Sequence, residues 1–454
     1  MLDKRVSSIV PILALMVFML SGVACSSQVS TERFRPNIVL VFVDDLGYGD
    51  LGSYGLKTAQ TPHLDRLAEE GTRFTSFYAQ HLCGPSRMSL LTGRYPSRVN
   101  EGRWSMPTEE ITFAELLQGA GYATACIGKW DVSGRKPIQD RMPNAQGFDY
   151  FWGTLGSNDS AQIELYENTR QIGSEDDMAC LSRVYTRRAI GWVDNHIRRH
   201  PHQPFMLYLS HTMMHTVIDA SPGFRDRTGN GLYADTLEEL DHECGRLFKA
   251  IDGLDLRERT LVIFTSDNGP WCNDQPRQTA RHERLGQWSK GPNIVWGNSG
   301  PLREGKGSDY EGGVRVPCLV RWPGRVPAGR ESGAIFATLD FLPTFASLAQ
   351  ADLPGDRIMD GVDQSALLFG KSEEGNRSTY FYFSGTHGVR EGRWKLLRPG
   401  RWPASHKGTY PIDKGSGSIE LYDLEADVGE TTNLAEEHPQ VVERLMQLRI
   451  RRQD

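Results

Sequence analysis

The chain has 454 residues, 39% of them hydrophobic and 24% charged, a balance that excludes a disordered or fibrous protein and fits one large globular domain with a smaller companion. Its 51 basic and 57 acidic side chains leave a formal charge of -6, so the global basic excess of a nucleic-acid-binding protein is missing. Any anion has to be held by a local cluster of cations.

In chain order, Lys4 and Arg5 precede an apolar run from Ile9 to Leu20 and small residues from Ser21 to Ala24. That is the pattern of a signal peptide over residues 1–24, shorter than the roughly 20 apolar residues of a membrane span. Cleavage after Ala24 would expose Cys25, followed by Ser26 and Ser27, as in bacterial lipoprotein processing sites, although Gly22 stands where a larger aliphatic residue is usual. A lipid anchor at Cys25 and simple secretion both stay open, and the expected location is periplasmic, cell-surface or secreted. The other cysteines, Cys83, Cys126, Cys180, Cys244, Cys272 and Cys318, show no CxxC pair and no zinc-like spacing.

Apolar, β-branched runs at Asn37–Val43, Ala123–Ile127, Phe205–Ser210 and Leu261–Thr265 alternate with helical stretches. The alternation predicts an α/β fold with one large, mostly parallel sheet flanked by helices, spanning residues 34–350. Each run leads into chemically active residues: Asp44 and Asp45, then Lys129, then His215, then Asp267 and Asn268. Ligands of open α/β sheets bind beyond the carboxyl ends of strands, so these residues are expected to meet at one rim. After a helix around Asp340–Thr344, a Gly- and Asp-rich connector from Ala351 leads to strands at Thr379–Phe383, Arg393–Leu396 and Glu420–Leu424, and to a helix from His438 to Ile450. Residues 351–454 therefore read as a smaller antiparallel subdomain.

Asp44, Asp45, Asp267 and Asn268 offer only oxygen, which suits a hard divalent cation, calcium by preference and magnesium as the alternative. Such sharing requires the Asp44 and Asp267 carboxylates to lie within about 8 Å of one another. Cys83-Gly-Pro-Ser-Arg87 places Pro85 in the first turn of a helix, and Cys83 at its amino end, where anions are favoured.

This segment, continued to Thr92-Gly93, resembles the signature of formylglycine-dependent type I sulfatases of the alkaline phosphatase superfamily. Segments similar to that family run from Pro36–Gly49 through Gly147-Phe-Asp-Tyr-Phe151, Gly305-Lys-Gly307 and Glu311–Pro317 to Leu421-Tyr-Asp-Leu424. The resemblance implies a sulfuric ester hydrolase whose Cys83 is oxidised to formylglycine by a formylglycine-generating or sulfatase-maturating enzyme. It implies calcium ligation by Asp44, Asp45, Asp267, Asn268 and the modified Cys83, with Arg87, Lys129, His215 and Lys306 acting on the aldehyde hydrate, the sulfate and the departing alcohol. A sulfated polysaccharide or glycosaminoglycan is the expected substrate, with no nucleic-acid partner. Phosphate or phosphonate ester hydrolysis, and a silent glycan-binding lipoprotein, are the alternatives.

One departure stands out. Where the family usually reads Gly-Lys-Trp-His, this chain reads Gly128-Lys-Trp-Asp131, so a carboxylate enters a place meant for anions unless Lys129 or Arg135 offsets it. Trp271, His282, Trp288 and Trp296, in the long loop after Asn268, are candidates to stack on sugar rings, although aromatic residues in long loops equally often pin the loop down.

Overall fold

The computed structural model describes residues 35–99, 105–272, 282, 292, 294–382, 387–399 and 417–451. The signal-peptide and Cys25 readings therefore lie outside the described residues, as do Trp288 and residues 400–416. In chain order the strands are β1 (Asn37–Val43), β2 (Thr72–Phe74), β3 (Phe77–Tyr78), β4 (Ala123–Lys129), β5 (Tyr150–Thr154), β6 (Ile163–Glu167), β7 (Arg170–Glu175) and β8 (Phe205–Ser210). They continue as β9 (Thr260–Ser266), β10 (Cys318–Arg321), β11 (Arg330–Ser332), β12 (Phe336–Ala337), β13 (Thr379–Tyr382), β14 (Gly388–Glu391), β15 (Trp394–Leu397) and β16 (Glu420–Asp423).

Ten of these form one sheet in the order β11-β2-β10-β9-β1-β8-β4-β5-β6-β7. The strands β9, β1, β8, β4 and β5 run parallel at its centre, and antiparallel pairings appear toward both edges. The four apolar runs are thus adjacent strands, and their carboxyl ends share one rim. Along β1 the pleat sends Ile38, Leu40 and Phe42 into one core and Val39, Val41 and Val43 into the other, which is why the run shows no polar alternation.

Helices Leu181–Arg199 and Leu232–Gly253 cover the face of Val41; helices Cys83–Thr92, Phe113–Gly119 and Phe341–Ala349 cover the face of Phe42. No helix among the described residues is long and apolar enough to cross a membrane. The glycine before Lys129 is dictated by packing: Gly128 has φ +110°, and a Cβ there would lie 1.8 Å from the Ser210 carbonyl oxygen of the neighbouring strand.

The C-terminal strands pair as an antiparallel meander, β13-β14-β15-β16, with helix Pro439–Arg451 packed on β14 and β15. Sequence patterning misses β14, a four-residue strand whose Gly388 and Arg390 hide its apolar character.

A buried polar network ties this sheet to the segment that follows Lys306. Glu311 accepts hydrogen bonds from Tyr78 at 2.6 Å, from Tyr382 at 2.8 Å and from Lys395 at 3.0 Å. Lys395 also donates to the Asp309 carbonyl at 2.8 Å and pairs with Glu430 at 2.7 Å, while Glu430 accepts the Glu311 backbone N–H at 2.7 Å. All three charged side chains are buried, so their mutual pairing is a condition of burying them.

Candidate active site

Six of the candidate side chains sit where a central strand stops. β1 delivers Asp44 and Asp45, β9 delivers Asp267 and Asn268, β4 ends on Lys129, and His215 follows β8 by five residues. The turns are laced together by backbone bonds from Asp267 N to Val43 O, at 3.0 Å, and from Asp44 N to Met213 O, at 3.2 Å. Gly269 lets the β9 turn pass the next segment, since a Cβ there would stand 1.8 Å from the Gly312 carbonyl oxygen. Cys83 is the first residue of helix Cys83–Thr92, with Pro85 in its first turn.

The side chains converge. The Cys83 thiol lies 3.2 Å from Asp44 Oδ1 and 3.7 Å from Asp45 Oδ1, and Lys306 Nζ is 3.2 Å from the sulfur and 2.5 Å from Asp45 Oδ1. Lys129 Nζ donates to Asp44 Oδ2 at 2.6 Å. Arg87, fully buried, donates from Nη2 to Asp267 Oδ2 at 2.8 Å and packs over the Phe42 ring. That same nitrogen is 3.9 Å from Asp44 Oδ2, so the two carboxylates are no further apart than these distances laid end to end, short of the roughly 8 Å limit for sharing an ion. His215 holds its Nδ1 2.6 Å from the Thr216 carbonyl, which leaves Nε2 to face Asp45 Oδ2 at 3.8 Å.

Sequence patterning gives no sign of the groups that orient Arg87. Its Nη1 donates to the Lys129 carbonyl at 3.2 Å, to the Tyr208 hydroxyl at 3.3 Å and to Ser210. Tyr208 and Ser210 stand inside an apolar strand, and nothing in its pattern ties them to Arg87.

The electrostatics follow from burial. Burial, then the charges of Asp267 and Asp44, push the Cys83 thiol well above its ordinary range, so an unmodified cysteine here stays protonated and weakly nucleophilic. Burial and the neighbouring Asp44 also push Asp267 up to about 7. Burial would raise Asp44 too, but Lys129, His215, Arg87 and Lys306 together hold it well below the usual carboxylate range.

A hard divalent cation fits these residues. Asp45 Oδ2 and Asn268 Oδ1 are buried acceptors with no hydrogen-bond partner, both belonging to the proposed oxygen set. Asp44, Asp45, Cys83 and His215 each bring one ligand-type atom within 4.8 Å of the others. The resemblance implies that His215 acts on the sulfate and the departing alcohol; in the structure its ring also borders the acidic cluster.

Asp131 is fully buried, and both of the expected offsets are present: Arg135 Nε reaches its Oδ1 at 2.7 Å, and Lys129 Nζ lies 3.3 Å from its Oδ2. Burial alone would raise this carboxyl, but Lys129 and Arg135 outweigh it and hold it below its ordinary value. Among the loop aromatics, His282 is buried and accepts the Ile218 backbone N–H at 3.2 Å. Trp271 is also buried, with Lys306 Nζ 5.4 Å above its ring. Trp296 lines a cavity of about 450 Å³ with Asp50 and Tyr233.

The sulfatase family model matches residues 36–351, and a second model, described as N-sulphoglucosamine sulphohydrolase, C-terminal, matches residues 305–453. Arylsulfatase A of Homo sapiens is 37% identical over 91% of this chain and 87% of its own length. An N-acetylgalactosamine-6-O-sulfatase of Bacteroides thetaiotaomicron is 31% identical over 98% of both chains. A solved Bacteroides thetaiotaomicron structure, described in connection with the metabolism of multiple glycosaminoglycans, superposes with a TM-score of 0.79 at 28% identity, covering 91% of this chain and 98% of the other. The chain belongs to the sulfatase family, within the alkaline phosphatase superfamily, and is a sulfuric ester hydrolase.

Proposed function

We propose that the protein removes sulfate from a sulfated carbohydrate, using a formylglycine made from Cys83 and one calcium ion. The observation that carries this reading is the setting of Cys83. It opens a buried helix amino end against Asp44, Asp45 and Lys306, where a thiol stays protonated while neighbouring oxygens lack partners. Oxidation to an aldehyde would replace soft sulfur with hard oxygen in an otherwise all-oxygen set. The carbohydrate part draws support from the relatives, one named for N-acetylgalactosamine 6-O-sulfate and one described with glycosaminoglycans.

In this reading Asp44, Asp45, Asp267 and Asn268 hold the ion. When bound, the ion and the hydrated aldehyde supply Lewis acidity and the attacking hydroxyl. The protein's own cations do the rest. Lys129, Lys306 and Arg87 fix the sulfate and offset charge on its oxygens in a site closed to water, where such contacts are strongest. Asp267 orients Arg87 through the paired Nε and Nη2 bonds, at 3.2 and 2.8 Å. His215 presents Nε2 to the leaving oxygen, its ring fixed by the Nδ1–H bond to the Thr216 carbonyl; burial and Lys306 lower its pKa, so it delivers the proton that the alcohol needs only as the imidazolium, the form that the negative charge of a bound sulfate ester favours.

The test combines mass spectrometry with kinetics. Protein from a host with a maturating enzyme should yield a Cys83 peptide in which the sulfur and two hydrogens have been exchanged for a single oxygen, and Cys83→Ala should lose turnover of sulfate esters. An unmodified thiol in an active enzyme, or a fully active Cys83→Ala, refutes the proposal. Matched aryl sulfate and aryl phosphate separate it from phosphate ester hydrolysis.

A further inference from the structure

Among the described residues, most charged side chains of the site are nearly sealed from solvent, but two are not. The Asp159 side chain is 34% exposed and that of Arg135 43% exposed, against 0–5% for Arg87, Lys129, Asp131, His215 and Lys306. These two mark the mouth. Asp159 Oδ1 lies 4.0 Å from His215 Nε2, the atom assigned to the leaving oxygen, so the carbon skeleton of the departing alcohol has to pass beside this carboxylate.

The pair is built in rather than loosely attached. Arg135 donates Nε to Asp131 at 2.7 Å and Nη1 to Asp159 Oδ2 at 2.9 Å, and Ser157 donates to the same Oδ2 at 2.5 Å. Asp131 and Arg135 both adopt left-handed backbone, φ +58° and +59°, a conformation non-glycine residues rarely take. Asp131 is offset by Lys129 as well as by Arg135, so the part-exposed carboxylate set beside His215, in a site that receives an anion, is that of Asp159.

We propose that Asp159 is a specificity determinant of this reaction. It accepts a hydroxyl of the sugar beside the scissile ester and turns away substrates that carry a second sulfate or carboxylate at that position. Arg135 is a positioning residue, holding Asp159 with Asp131 as its buried anchor. The inference rests on the carbohydrate reading above, and the charge pattern supplies the discrimination. A hydroxyl gains a charge-assisted bond to a carboxylate, whereas a second anion meets like charge across a few ångströms.

The test measures kcat/KM of the matured, calcium-loaded enzyme on 4-nitrophenyl sulfate, 6-O- and 4-O-monosulfated N-acetylhexosamines, and their 4,6-disulfated counterparts. The wild type is expected to favour the better monosulfated sugar over its disulfated form by roughly 10- to 100-fold. Asp159→Asn should narrow that preference at least about tenfold and should lower turnover of the monosulfated sugar more than that of the aryl sulfate. Arg135→Met should shift the preference in the same direction. An unchanged preference in a folded Asp159→Asn, or equal losses on every substrate, overturns the proposal. If neither variant folds, the wild-type preference decides alone, and faster turnover of disulfated sugars refutes it. Turnover of the aryl sulfate with no sugar sulfate accepted refutes the carbohydrate reading and this proposal together. Retained preference for monosulfated sugars without any effect of Asp159 refutes this proposal only.

Discussion

Calcium should be a measurable part of this protein's stability. Asp44, Asp45 and Asp267 are buried together, Asp45 Oδ2 and Asn268 Oδ1 have no hydrogen-bond partner, and Asp267 is pushed up to about 7 by burial and by Asp44. An ion present at a hundredfold excess over its Kd adds about 2.7 kcal/mol to the folded state. For a folded unit of Arg35–Asp454, with an unfolding entropy of about 2.1 cal/mol/K per residue, that corresponds to a rise of about 3 °C in Tm.

Acid should weaken the response, because below pH 7 a proton on Asp267 competes with the ion. Each pH step costs at most about 1.4 kcal/mol, or about 1.5 °C. The assay is calorimetry after chelation, with stepwise return of calcium at pH 6 and pH 8. Asn268→Ala should need more calcium for the same rise. A Tm that ignores calcium at pH 8, or an Asn268→Ala variant that responds like the wild type, refutes the assignment of these oxygens.

Other outcomes follow from the same geometry. Removing Lys129 as Lys129→Met leaves the buried carboxylates of Asp44 and Asp131 without their shared cation, at 2.6 and 3.3 Å in the wild type, and should cost about 3–5 kcal/mol in chemical denaturation as well as activity. Gly128→Ala combines a left-handed backbone with a Cβ 1.8 Å from Ser210 O; a loss of at least about 2 kcal/mol is expected from the same denaturation curves. Burial, relieved by Lys395 and reinforced by Glu311, raises Glu430 to about 7, so the folded state holds its proton above the unfolded pKa of about 4.5. Stability should therefore fall as pH climbs from about 4.5 to 7, by up to about 3 kcal/mol, and Glu430→Gln should flatten that slope in pH-dependent melts. Glu311 is opposite in sign: burial would raise it, but Lys395 and the arginines Arg315 and Arg390 lower it to about 2, so its contribution is present above about 4.5 and is lost toward pH 2.

How much is legible in the sequence depends on where each residue's partners lie. The apolar runs announce β1, β4, β8 and β9 because both faces of each are buried, and reactive residues just beyond such runs can only gather at one rim. Cys83 is placed at a helix start by Pro85, a purely local signal. The edge strands are less visible. β6 and β7 carry glutamates and arginines on exposed positions, and three-residue β2 and β11 are too short to show a period. Asp159 escapes a sequence reading because nothing near it in the chain marks it. Its meaning comes from Arg135, 24 positions earlier, and from His215, reached only when β5 and β8 fold against β4. For His282 the sequence leaves sugar stacking and a structural role equally open, and the hydrogen bond that its buried ring accepts from the Ile218 backbone N–H comes from a partner no local pattern announces.

The Glu311–Lys395–Glu430 network bears on how the enzyme could be shortened or rebuilt. Lys306 belongs by sequence to the large sheet's half of the chain, yet the stretch after it is moored to β13 and β15, and both family models claim residues 305–351. Cutting the chain between the sheets would take Tyr382, Lys395 and Glu430 from Glu311 and leave the stretch behind Lys306 to its bonds with the large-sheet half, such as Lys306 N to Pro270 O at 2.8 Å and Gly307 N to His81 O at 2.9 Å. Engineers seeking a minimal desulfating module should therefore keep the small sheet as the anchor of this stretch.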